Sequence, residues 1–237
     1  MKKNIIILSL VLLLASCAPV YVPNLRNSPM FVSGGEFQGT VQLGNGFDAQ
    51  GALSITNNIG VMGNFSYANR TDIDNVDQYH YHKLFEGGIG YFKNSGKTCF
   101  EIFAGYGKGE GSGYDKFTIF GTTEEIRAKG TFERYFIQPA IGLNKKMMNV
   151  SFVSRVSFVN MNQFSDLSNS VAVADNRTAV FLEPGVVGRL NFADRHMFFT
   201  FQGGTSLRVS DGQSSSWNHR PFQMGLGMGI RIGGRIE

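Results

Sequence analysis

Arg220-Pro221-Phe222-Gln223-Met224-Gly225-Leu226-Gly227-Met228-Gly229-Ile230-Arg231-Ile232-Gly233-Gly234 is the run that decides the fold. From Phe222 to Ile232 a large apolar residue stands at every second position, with Gln223, Gly225, Gly227, Gly229 and Arg231 between. That period of two predicts a strand with one apolar face and one slim, polar face. About nine to eleven such residues, tilted, cross the hydrocarbon of a bilayer. The alternation recurs up the chain. The expected fold is therefore all-β: a closed antiparallel transmembrane β-barrel of about ten strands, within a range of roughly eight to ten.

Working outward, strands are expected near Gly35–Gly44, Asp48–Thr56, Asn58–Ala68, Lys83–Lys93 and Thr98–Lys108. The second half supplies Lys129–Asn144, Met148–Met161, Arg177–Leu190, His196–Val209 and Pro221–Gly233. Connections alternate in length, short after every second strand. Asn57-Asn58, Asn94–Lys97, Asn144–Met147 and Asn191–Arg195 are short, and the Asn in each suits a left-handed turn. Asn69–His82, Gly109–Ala128, Asn162–Asn176 and Ser210–His219 are long. Short periplasmic turns, long outer loops and an even strand count, with both termini periplasmic, are the pattern of an outer-membrane barrel. The connection at Asn45-Gly46-Phe47 is a short exception on the outer side.

Parity assigns Met148, Val150, Phe152, Val156 and Phe158 to the outer face of one strand, with Ser154 as an interruption. It assigns Met197, Phe199, Phe201, Leu207 and Val209 to that of another, and Tyr135, Ile137, Pro139, Ile141 and Leu143 to that of a third. Pro139 has no N–H and is expected at a bulge or near a rim. The opposite faces hold Gly, Ser and Gln with scattered Glu and Arg, where the exposed face of a soluble barrel would carry Lys and Asp freely. Slim polar residues suit a narrow lumen.

At the start, Met1-Lys2-Lys3 and the apolar run Ile5 to Leu14 have the form of a secretory signal. It ends in Leu14-Ala15-Ser16-Cys17, which resembles the bacterial lipobox; by that resemblance Cys17 becomes the lipidated N-terminus. The expected organisation is a signal peptide over 1–16, a lipidated, Pro-rich tether over 17–34 and the barrel over 35–237. Pro19, Pro23 and Pro29 bias the tether to extended backbone, and the sequence leaves open whether it stays outside the barrel or enters and plugs the lumen. The lipobox resemblance carries a further implication: lipoproteins exported to the surface often have an acidic run after the cysteine, none follows Cys17, and an anchor in the inner, periplasmic leaflet is therefore expected. Losing Lys2 and Lys3 takes the formal charge from +4 to +2, and no basic cluster suggests nucleic acid. With Cys17 committed to lipid, Cys99 has no intrachain partner.

The expected lumen gathers Glu36, Glu86, Glu101 and Glu183 with Arg134, Arg155, Arg189, Arg208 and Arg231. Arg–carboxylate pairs offset the cost of burying such charges, so a structural ion-pair network tying strands together is expected. Phe136, Phe198 and Gln202 narrow the bore further. A conduit for small ions or solutes is the alternative. His80 and His82, read as lying in the first long loop beside Asp72, Asp74 and Asp77, raise a third reading, a rim-sited hydrolase or metal site. The omptin proteases are ten-stranded barrels with Asp and His at the rim, yet no omptin motif matches residue by residue. The glycines from Gly105 to Gly113 lack the strand–turn–helix context of a phosphate loop.

Tyr21-Val22-Pro23-Asn24, Asn27-Ser28-Pro29, Gly35-Glu36-Phe37, Ser54-Ile55-Thr56-Asn57-Asn58 and Met62-Gly63-Asn64-Phe65 form a recognisable set. Phe100-Glu101-Ile102, Phe136-Ile137-Gln138-Pro139 and Leu182-Glu183-Pro184 extend it. Together they resemble the small lipidated outer-membrane β-barrels of Bacteroidota, a family without assigned function. The resemblance covers nearly the whole mature chain and carries over no catalytic residue. The expected protein is a non-enzyme with no metal and no cofactor beyond the covalent lipid on Cys17. Its expected partners are outer-membrane lipid and, at the long loops, an extracellular ligand or protein.

Overall fold

The computed structural model describes residues 18–71, 78–119, 122–166, 177–211 and 217–234. Cys17 and the expected signal peptide lie outside the described residues, as do Asp72, Asp74 and Asp77. Eleven strand segments follow one another: β1 Phe37–Gly44, β2 Phe47–Ser54, β3 Ile59–Thr71, β4 Gln78–Ser95, β5 Thr98–Ile119 and β6 Thr122–Asn144. Then come β7 Met148–Asp166, β8 Arg177–Phe192, β9 Met197–Thr205, β10 Leu207–Asp211 and β11 Phe222–Ile232. All pairings are antiparallel between neighbours, and β1 pairs with β11 to close the wall. Because β10, through Leu207 and Arg208, continues the register in which β9 pairs with β8, the two are halves of a single stave. The molecule is a closed, ten-stave antiparallel β-barrel.

Alternation sorts the side chains as the period requires. Phe85, Ile137, Ile141, Phe152, Phe158, Phe199 and Ile230 face outward and are exposed, while their strand neighbours are buried inside. An apolar surface of that extent is untenable in water and natural in hydrocarbon. On β5 and β6 the band ends at Tyr106 and Tyr135, whose rings pack 5.0 Å apart. One step toward the loops the Lys108–Glu133 ion pair, at 3.0 Å, marks polar surroundings.

Several expectations on strand ends change. The β5–β6 hairpin runs on to Ile119 and Thr122, so most of the expected Gly109–Ala128 loop is sheet. His80 and His82 likewise belong to β4 and not to a loop. Cross-strand pairing satisfies the backbone well past the apolar band, which polarity alone does not reveal. The turn after β8 takes its left-handed angles at Ala193, Asp194 and Arg195, not at its Asn. Asn191 instead uses its side-chain amide to donate to the Lys146 carbonyl at 3.2 Å.

Both wall prolines interrupt a ladder without a bulge. Beside Pro139, mid-strand in β6, pairing with β7 lapses at Gln138 and Pro139 and resumes in the same register at Ala140. The expectation of a bulge or rim position is thus overturned: a skipped pairing costs less than shifting every outward residue of the stave to the wrong face. Beside Pro184 the pairing between β8 and the β9–β10 stave lapses at Thr205 and Ser206 and resumes unchanged at Leu207. That gap divides the stave.

Candidate functional site: the filled lumen

The lumen holds the chain's own N-terminal segment. Every residue from Ala18 to Phe31 is buried, and the segment passes through the barrel from the long-loop end to the short-turn end. The expected tether between lipid and barrel is therefore an internal thread. The wall begins at Phe37 on the short-turn side, while the thread that precedes it starts at the long-loop end.

At the loop end, the Val20 and Tyr21 N–H groups donate to the Asn218 carbonyl at 2.9 and 3.2 Å, and Arg220 N–H donates to the Tyr21 carbonyl at 2.9 Å. Tyr21 packs against Phe132, Phe181 and Trp217, within an apolar cluster that includes Leu84, Val159 and Met161. At the turn end, Phe31 packs with Phe92, Phe103, Phe136, Ala52 and Met62. Two apolar stoppers thus close a polar middle, in which unsatisfied groups would be costly.

Extended backbone inside a barrel has no ladder of its own, so the wall must supply its partners. Asp48 accepts from Leu25 N–H at 3.1 Å and the Gln50 amide donates to Leu25 O at 2.9 Å. Gln202 accepts from Arg26 N–H at 2.8 Å, and Gln138 donates to Asn27 O at 2.7 Å. Arg189 donates to Ser28 O and Pro29 O at 2.8 and 2.9 Å. Glu101 accepts from Met30 N–H at 2.9 Å and Glu36 from Val32 N–H at 2.8 Å. Met30 O accepts from Asn144 at 3.2 Å. The Gln-, Asn- and Arg-rich lumen is complementary to an extended peptide.

Side chains of the thread are met as well. Asn24 accepts from Arg134 at 2.7 Å and Arg155 at 2.9 Å, and donates to Glu86 at 2.7 Å. Tyr21 donates its hydroxyl to Glu183 at 2.9 Å while accepting from Arg134 at 3.0 Å. Ser28 donates to Glu101. Arg26 fills the gap left by Pro184: Nε donates to Glu183 O and Nη2 to Thr205 O, both at 2.9 Å. Those carbonyls belong to the lapsed pairing, so a guanidinium from the thread stands where the wall lacks a rung.

Of the nine charged residues named from sequence, all but Arg208 are buried in the lumen. Arg134 and Arg155 both meet Glu86, the second pair at 3.6 Å, and Arg231 meets Glu36 at 2.9 Å. Glu101 and Glu183 are held mainly through the thread and nearby hydroxyls: Ser157 and Ser206 both donate to Glu183 at 3.1 Å. Arg208 sits half-buried at the loop end, donating to Trp217 O at 2.6 Å and lying over that ring. The charges are thus tied largely through the threaded segment, not only strand to strand. Sequence reasoning missed Tyr21, Asn24, Arg26, Ser28 and Asp48. The available signal was the apolar content of the supposed tether, since a water-exposed linker needs no Val20, Tyr21, Leu25, Met30 or Phe31.

His82 and Ser66 point inward: Ser66 Oγ lies 3.2 Å from His82 Nε2, and His82 Nδ1 lies 2.9 Å from His80 Nε2. The row resembles a nucleophile, base and orienting group, but Ser66 is 1% exposed, which closes it to substrate. Among the described residues no three His, Cys, Asp or Glu side chains gather with metal-ligand spacing.

The closed wall, apolar exterior and polar, filled lumen define a β-barrel of the outer-membrane class. No family model matches the chain, and no curated protein sequence matches it. Among solved structures, the translocator domain of the autotransporter NalP from Neisseria meningitidis is similar at 9% identity and a TM-score of 0.47, covering 84% of this chain and 86% of that one. OmpT, an outer membrane protein of Vibrio cholerae folded in vitro, is matched at 7% identity and a TM-score of 0.19, over 83% of this chain and 96% of its own.

Proposed function

We propose that this is a non-enzymatic outer-membrane lipoprotein: a barrel sealed by its own N-terminal segment, anchored by acyl chains on Cys17, and presenting its long-loop face for structural or surface-binding roles. The carrying observation is the burial of every residue from Ala18 to Phe31. A thread whose backbone and side chains are hydrogen-bonded to the wall leaves no free bore for solute. The buried Ser66 and its histidines then serve as part of the inner packing, and contact with other molecules falls to the loops, where barrels of this class concentrate binding.

Planar-bilayer recordings of the refolded mature protein test this reading. The intact chain is expected to be silent, and a variant lacking residues 19–32 is expected to open discrete steps. Stable steps from the intact chain that change with Arg155→Gln or Glu101→Gln would establish the conduit instead.

A further inference from the structure

The direction of the thread bears on where the lipid sits. Ala18 is at the long-loop end: its Cα lies 2.6 Å, and its Cβ 2.9 Å, from the position a Cβ on Gly113 of β5 would take. Fourteen residues on, Val32 has reached the short-turn end, where it donates to Glu36. We infer that the acyl chains of Cys17 lie in the leaflet at the long-loop face, the outer leaflet, so that the chain is lipid-anchored on the cell surface. This rests on the lipidation of Cys17 proposed above.

Covalent reach decides the matter. Cys17 is bonded to Ala18, and consecutive Cα atoms lie about 3.8 Å apart. The two leaflets are separated by roughly 30 Å of hydrocarbon. An anchor in the periplasmic leaflet would require the whole thread to withdraw, breaking every contact between Ala18 and Val32. The missing acidic run after Cys17 points to the periplasmic leaflet, but the thread passes the other way.

The wall is of uneven height around the lumen mouth. Over β5 and β6 the sheet stands high above the apolar band, reaching Ile119 and Thr122. Over β1, β2 and β11 it stops low: β1 ends at Gly44 and β11 starts at Phe222. There the exterior stays apolar to the rim, with Leu43 69% and Met224 73% exposed. Ala18 itself stands against the high wall, at Gly113 of β5, so acyl chains on Cys17 reach the low, apolar side by crossing the mouth.

The test uses the full-length gene expressed in a Gram-negative host, with an epitope inserted between Ala18 and Pro19 and, as a control, one between Lys145 and Lys146 in a short turn. The inference expects the first epitope to be labelled by antibody, and removed by protease, on intact cells as fully as on permeabilised ones, with the control protected until permeabilisation. A first epitope protected in intact cells overturns it. Should the insertion prevent folding, Tyr21→Cys with His219→Cys serves instead, because those two residues form a β-bridge at the loop end: oxidation is expected to give a cross-linked species of altered gel mobility, and no cross-link overturns the threading direction. Radiolabelled palmitate incorporation, lost in Cys17→Ser, separates the two readings. Absence of label from the parent chain overturns the lipid assignment and the leaflet with it, while epitope exposure still reports the thread.

Discussion

Arg26 brings a guanidinium to the point in the wall where Pro184 removes a donor, and there it serves two carbonyls at once. Lysine offers a point charge where the fork spans both acceptors. In detergent or lipid, the urea midpoint is expected to fall in the order parent, Arg26→Lys, Arg26→Ala. Each carbonyl left unsatisfied costs about 1–3 kcal/mol. Indistinguishable midpoints for Lys and Ala would show that the fork adds nothing beyond volume. Arg134 faces a different balance, because its partner Glu86 is also fully buried. Removing one member of a buried pair costs about 3–5 kcal/mol, chiefly through the charge left behind. Arg134→Met should lose about that much, and Glu86→Gln added to it should restore part of the loss. A double variant as unstable as the single one would place the cost in lost packing.

At the scale of elements, thread and staves are fitted to one another through glycines. Leu25 lies against Gly225 so closely that a Cβ there would collide with its side chain, and Gly130 and Gly142 receive Val20 and Met30 in the same way. Gly225→Ala is therefore expected to destabilise the barrel by about 1–3 kcal/mol through overpacking. Leu25→Ala alone opens a cavity, and the two together should cost less than the sum of the singles when unfolding is followed by gel mobility of unboiled samples. Simple additivity would mean that the thread does not occupy this groove. The staves themselves were legible because alternation between lipid and lumen repeats along each of them, as in Met148 to Phe158 and Phe222 to Ile232. Their loop-side ends were not: beyond Lys108 and Glu133 the outward face is polar, and hydrophobic contrast, the signal that defines a strand from sequence, vanishes although the pairing continues.

For the molecule as a whole, charge is segregated. The Arg134–Glu86 pair lies in the lumen between two apolar stoppers and the Arg231–Glu36 pair is buried at the short-turn end, while Lys108–Glu133 and Lys116–Glu125 are outside. Salt screens exposed pairs over a Debye length of about 10 Å at 0.1 M and reaches buried ones far less. Raising salt from about 0.1 to about 1 M should therefore leave the urea midpoint nearly unchanged. A steep fall would mean that water and ions enter the lumen, and with them the conduit reading would return.

The sequence by itself determined the class of fold and the faces of the staves. Each of these follows from a period of two, which is local and repeats. Only the tertiary structure decided what fills the barrel. The thread has no period, and its prolines suit a solvated tether as well as an internal one. Its partners are scattered over the wall, as far off as Gln202, 176 residues from Arg26. Alternation says that a face turns inward but not what it meets there. That is settled by hydrogen-bond complementarity among residues brought together only when the barrel closes.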